Sequence, residues 1–119
     1  AFLTLEVGLT PEEAQAFWPV YNQVEKEKDE AMFNLIRAHK EMSKALEEKK
    51  SEKEVAALLD KYLEAEKKVN EIENAIAAKY KAVLPVEKVA KLYVAEEKFR
   101  RQQIRKLHHG GEGKPQPKN

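Results

Sequence analysis

The chain has 119 residues, enough for one domain and too few for two well-buried ones. Charged residues make up 36% and hydrophobic ones 42%, with four glycines and five prolines, a balance that favours long solvated helices over a large core. The formal net charge is +1 and there is no cysteine, which excludes a disulfide framework, a zinc knuckle and a thiol nucleophile and leaves the redox compartment open.

Near-neutrality hides an asymmetry along the chain. Residues 1 to 30 carry two lysines against seven carboxylates, a net of −5, whereas residues 98 to 119 carry seven cations against Glu112, a net of +6. No apolar run approaches the roughly 18 residues needed to span a bilayer, so the mature domain reads as soluble. Because the chain begins at Ala1 rather than Met, an amino-terminal segment is expected to have been removed.

In chain order, AFLTLEV places Phe2, Leu3, Leu5 and Val7 before Gly8 and reads as the end of a short helix closed by a glycine cap, with a strand as the alternative. Thr10 and Glu13 then form a capping box with Pro11 at the first helical position, so a long helix starts at 11. Pro19 removes one backbone hydrogen bond and crowds the Gln15 carbonyl, so the spacing predicts a kink after two turns, bent over Phe17, Trp18 and Tyr21. Beyond it Met32, Leu35, Ile36, His39, Met42 and Leu46 continue one apolar stripe at three- and four-residue spacing to about residue 49. Such a helix is about 60 Å long at 1.5 Å per residue.

Ser51 and Glu54 give a second capping box, which puts the tip of a helical hairpin near residue 50. Val55, Leu58, Leu59, Tyr62, Leu63, Val69, Ile72, Ile76, Tyr80 and Val83 follow at nearly heptad spacing and predict an antiparallel partner helix. Leu84-Pro85 ends it, and a last helix runs from about 85 to 107 on Val86, Val89, Leu92, Tyr93, Phe99, Ile104 and Leu107. HHGGEGKPQPKN, residues 108–119, reads as a disordered tail beyond a single helical domain at 1–107. The expected class is therefore all-α: a bent long hairpin with shorter helices at each end.

Catalysis needs a positioned nucleophile or acid–base set, and Ser43, Ser51, three histidines and two aspartates without a glycine-rich loop do not supply one. Ser51 is already a cap. The chain reads as a non-enzyme without a cofactor. Met32, His39 and Met42 share one helical face and make a soft-metal site conceivable, but methionine at helical spacing more often fills core gaps, so no metal is expected. His108 and His109 supply at most two ligands. The cations Lys98, Arg100, Arg101, Arg105 and Lys106 are interleaved with no aromatic beyond Phe99; they read as helix-end charges opposing the dipole, not as a nucleic-acid surface.

At LTPEEAQ, residues 9–15, and again at LPVEK, residues 84–88, the sequence resembles the LTxxQ-motif family, the periplasmic proteins grouped with Spy and CpxP. In the first copy Leu9, Thr10 and Pro11 open the helix, Glu13 occupies the glutamine position and Gln15 follows two residues later. In the second, Leu84 matches while Pro85 and Lys88 replace threonine and glutamine. GLTPEEAQAFWPVYN with VLPVEKVAKLYVAEEKFRRQQIRKL is similar, more narrowly, to the Bacteroidetes branch labelled as periplasmic heavy-metal sensors or refolding chaperones.

The resemblance implies an exported periplasmic protein, an antiparallel cradle-shaped homodimer, and ATP-independent holding of unfolded or partly folded proteins on an amphipathic surface. Met32, Phe33, Ile36, Met42 and the cations Arg100, Arg101 and Arg105 are the client-contact candidates. A metal or envelope-stress sensor acting on a membrane-bound or sigma-factor regulatory partner is the second reading. A structural helical assembly protein is the third.

Overall fold

A computed structural model describes residues 2–113, with side chains for residues 3–106. It is all-α among the described residues. Four helices follow in order: α1 (Phe2–Val7), α2 (Pro11–Glu47), α3 (Glu52–Lys81) and α4 (Val86–Gly113). The fourth runs past the predicted end at residue 107, and the part of the predicted tail at 114–119 lies outside the described residues. The chain divides into two compact units: the described residues of Ala1–Ala14 and Leu84–Asn119, and the segment Gln15–Val83.

Each helix end has a local cause. Gly8 adopts φ 74°, and its N–H and that of Leu9 both reach the Thr4 carbonyl, at 3.1 and 3.3 Å, which terminates α1 with a left-handed residue. Thr10 caps α2 reciprocally with Glu13: the Thr10 N–H donates to Glu13 Oε1 at 2.9 Å and the Glu13 N–H to Thr10 Oγ1 at 3.1 Å. α2 ends by the same device as α1, with Lys49 in the glycine position at φ 56°; Lys49 N–H bonds to the Leu46 carbonyl and Lys50 N–H to that of Ala45. Ser51 and Glu54 complete the box that opens α3. α2 continues without interruption through Pro19. Pro19 and Gln15 are both exposed, so the carbonyl that Pro19 cannot bond lies on the water-facing side.

In the segment 15–83, α2 and α3 form the antiparallel hairpin. Cross-helix pairs advance along α2 as they retreat along α3: Tyr21 with Tyr80, Glu27 with Lys79, His39 with Tyr62, Glu41 with Lys61. The open end is filled by aromatic rings, with Phe17 centred 5.1 Å from Trp18, 5.3 Å from Tyr21 and 5.6 Å from Tyr80. Phe17 and Tyr80 are fully buried there.

The buried residues of α2 differ from the expected stripe. They are Phe17, Val24, Ala31, Ala38 and Ala45, at intervals of seven. Leu35 and Met42 are half-buried beside them, while Met32, Ile36, His39 and Leu46 face solvent; on α3 so do Leu59 and Leu63. With the alanine row at the seam, the large residues on either side of it fall at its margins or face water.

The other unit has its own core. α1 packs on α4, burying Val7 with Leu84, Val89, Leu92 and Ala95; Leu92 is completely enclosed.

Two stability outcomes follow from these local geometries. Lys49→Gly removes the left-handed penalty at the hairpin tip and raises stability by about 0.5–1 kcal/mol, seen as a higher urea midpoint. Ala38→Leu inserts bulk into the seam and lowers that midpoint by an amount equivalent to about 1–3 kcal/mol.

Candidate interaction surface

The hairpin carries two unlike flanks because helix geometry sorts residues by angle around the alanine seam. At about 100° per residue, Glu27, Asn34, Arg37 and Glu41 fall on one side of α2. This flank faces Lys61, Glu64, Lys68 and Lys79 of α3, and its cross-helix ion pairs measure 2.9 Å for Lys61–Glu41 and 3.2 Å for Lys79–Glu27. Lys79 and Gln23 hold the Glu27 carboxylate below its ordinary range, the Gln23 amide contributing most. Such exposed pairs add little stability, but they mark the flank as polar.

The other flank is apolar. Met32, Ile36, His39 and Leu46 fall on it from α2, and the His39 ring meets Tyr62 edge-on at 5.7 Å, which joins it to the side of α3 carrying Leu59 and Leu63. Ile36 is 62% exposed and Leu46 59%, far more than core residues of a hairpin that needed them for folding. These large apolar side chains are exposed on one flank of the hairpin, the feature a candidate contact surface requires.

The candidate client-contact residues divide between the two units. Met32 and Ile36 lie on the apolar flank, and Met42 lines its base, half-buried. Phe33 points farther round α2, where the Arg37 guanidinium covers its ring at 4.8 Å. Arg100, Arg101 and Arg105 belong to α4 in the other unit. Arg100 and Arg101 both converge on Glu97, whose carboxylate they hold below the usual range, Arg100 first. Arg105 is exposed along a shallow concavity of about 580 Å³ with Tyr93 and Arg101. Sequence reasoning missed Leu59 and Leu63 because it placed them in the hairpin core; their offset from the strict 3–4 spacing of Val55, Leu58, Tyr62 and Ala65 was the available signal.

Both motif copies lie in the unit built from the chain ends, apart from Gln15, which is exposed in the hairpin segment with half-buried Trp18. The two residues standing where the motif has glutamine, Glu13 and Lys88, pair with each other. Lys88 Nζ donates to the Glu13 carboxylate and, at 2.8 Å, to the Gly8 carbonyl, so one ammonium joins the end of α1, the start of α2 and the first turn of α4. Leu84 is buried, Leu9 is half-buried, and Pro11 and Pro85 are exposed at their helix starts, where the Pro85 carbonyl accepts the Val89 N–H at 3.1 Å.

Among the described residues no three His, Asp or Glu side chains gather as metal ligands, and no helix is long and apolar enough to cross a membrane. No family model matches the chain, nor does any curated protein or solved structure.

Lys88, followed by the Thr10 backbone, holds the Glu13 carboxyl below its usual range. A carboxyl depressed on folding contributes stability that is complete above its unfolded value and is lost as pH falls through the folded one. Acidification below about pH 4.3 therefore loosens α1 and the start of α2, and Glu13→Gln makes that loss shallower. Melting curves from pH 7 to pH 3 on both forms check it. Lys88→Met lowers the melting temperature at pH 7.

Proposed function

We propose that the apolar flank of the hairpin holds unfolded or partly folded proteins without ATP, as a chaperone-like or envelope-stress protein does. One observation carries this reading: large side chains of both hairpin helices, Met32, Ile36, Leu46, Leu59 and Leu63, are exposed together on the flank opposite the cross-helix ion pairs. Exposed client segments are apolar and varied, so a surface of flexible and branched aliphatics without a shaped catalytic cleft suits them. Met32 and Met42 add adaptability, since the thioether chain repacks at low cost.

Location in the periplasm and association as a homodimer are part of the same proposal and rest on the resemblance of LTPEEAQ and LPVEK to the LTxxQ motifs. The competing sensor reading centres on Met32, His39 and Met42, which occupy this same flank.

Light scattering from an aggregating denatured protein tests the proposal. The unmodified chain in stoichiometric excess suppresses aggregation without ATP, and Ile36→Ser with Leu63→Ser raises the amount needed about tenfold, as expected for losing roughly 1.4 kcal/mol of apolar contact. Arg37→Gln with Lys68→Gln, on the polar flank, leaves suppression unchanged. Absence of suppression at any ratio would sink the chaperone reading, and stoichiometric Cu(I), Zn(II) or Ni(II) binding abolished by His39→Ala would put the sensor in its place.

A further inference from the structure

The apolar flank is not uniform. Beside Met32 it is pierced by a cavity of about 110 Å³ whose floor is Ala31, Val69 and Ile72. It exists because Ala31 ends at Cβ beside two branched residues, so this small seam residue leaves a recess at the edge of the seam. An apolar cavity of about 150 Å³ holds one benzene molecule. At 110 Å³ this one matches a single branched aliphatic side chain better than a bicyclic ring.

Its rim is charged on one side of the balance. Lys28 is engaged by Glu25 at 3.3 Å, which neutralises the one cation at the opening. Asp29 and Glu73 stand at the same opening, and neither has an ion-pair partner among the described residues. Two uncompensated carboxylates beside an apolar recess complement a side chain of the opposite character on each count: aliphatic at the centre, cationic next to it.

We infer that this recess is a one-residue anchor on the hairpin, taking a leucine or isoleucine of a client segment whose neighbouring lysine or arginine meets Asp29 and Glu73. The inference rests on the client-binding reading and adds selectivity to it. A plain sticky surface gains affinity with every added apolar atom, whereas a filled recess has an optimum size.

A labelled peptide series distinguishes the two. Short polar peptides carry one variable residue, Ala, Val, Leu, Ile or Trp, flanked by lysines or by glutamates, and are titrated with the full chain by fluorescence anisotropy. Leu and Ile peptides bind at least about fivefold more tightly than the Ala peptide, a modest share of what complete burial of such a side chain supplies. The Trp peptide binds more weakly than Leu, and glutamate flanks weaken every member. Met32→Ala, at an already exposed position, widens the recess and moves the optimum from Leu towards Trp. Affinity that climbs steadily to Trp, or ignores flanking charge, would overturn the anchor while leaving aggregation suppression intact. Failure of every peptide together with absence of suppression would overturn both.

Discussion

The buried alanine row Ala31, Ala38 and Ala45, which forms the α2 side of the hairpin seam, is the constraint on which the hairpin surface depends. Two helices meeting through side chains of similar bulk spread their apolar residues symmetrically about the interface. Where one helix contributes methyl groups, large residues of the opposite helix, here Val69, Ile76 and Tyr80, supply the bulk of the seam, and the bulky residues next to the alanines are left outside. Met32, Ile36 and Leu46 are exposed for this reason, and so is the recess at Ala31. The exposed apolar flank and its notch thus belong to the hairpin itself, with no separate element built to carry them.

Charge reinforces the division. Glu27–Lys79 and Glu41–Lys61 bridge the helices only on the side away from Met32, so the polar flank has its requirements met within the hairpin while the apolar flank does not. A protein with water on both sides would gain nothing from concentrating leucines and isoleucines on one of them. Segregation of this kind costs solubility, and the proposed client contact would offset that cost.

The unit formed by the chain ends solves a different problem. A six-residue helix cannot stand alone, and α1 is held by Val7 against α4 and by the Lys88 ammonium at Gly8 and Glu13. Residues that look like departures from a motif when each copy is read alone are complementary when brought together: a carboxylate in one copy and an ammonium in the other. The arginines farther along α4 are partly spent on Glu97, which reduces their availability as a free cationic surface.

The sequence determined by itself whatever depends on near neighbours in the chain. The capping residues Thr10 with Glu13 and Ser51 with Glu54, the Gly8 terminator, the break at Leu84-Pro85 and the hairpin tip near residue 50 are all local events, legible because their partners lie within a few residues. The all-α class and the antiparallel pairing followed from them. Tertiary structure alone decided which face of α2 became the seam, since periodicity weighs hydrophobic bulk and gives alanine little credit, while the buried row is the one that carries Ala31, Ala38 and Ala45. It alone brought Lys88 to Glu13 across most of the chain's length, and it alone decided that Leu59 and Leu63 join Met32 and Ile36 in water, because the angular flank on which a residue falls has no meaning until a second helix fixes the interface.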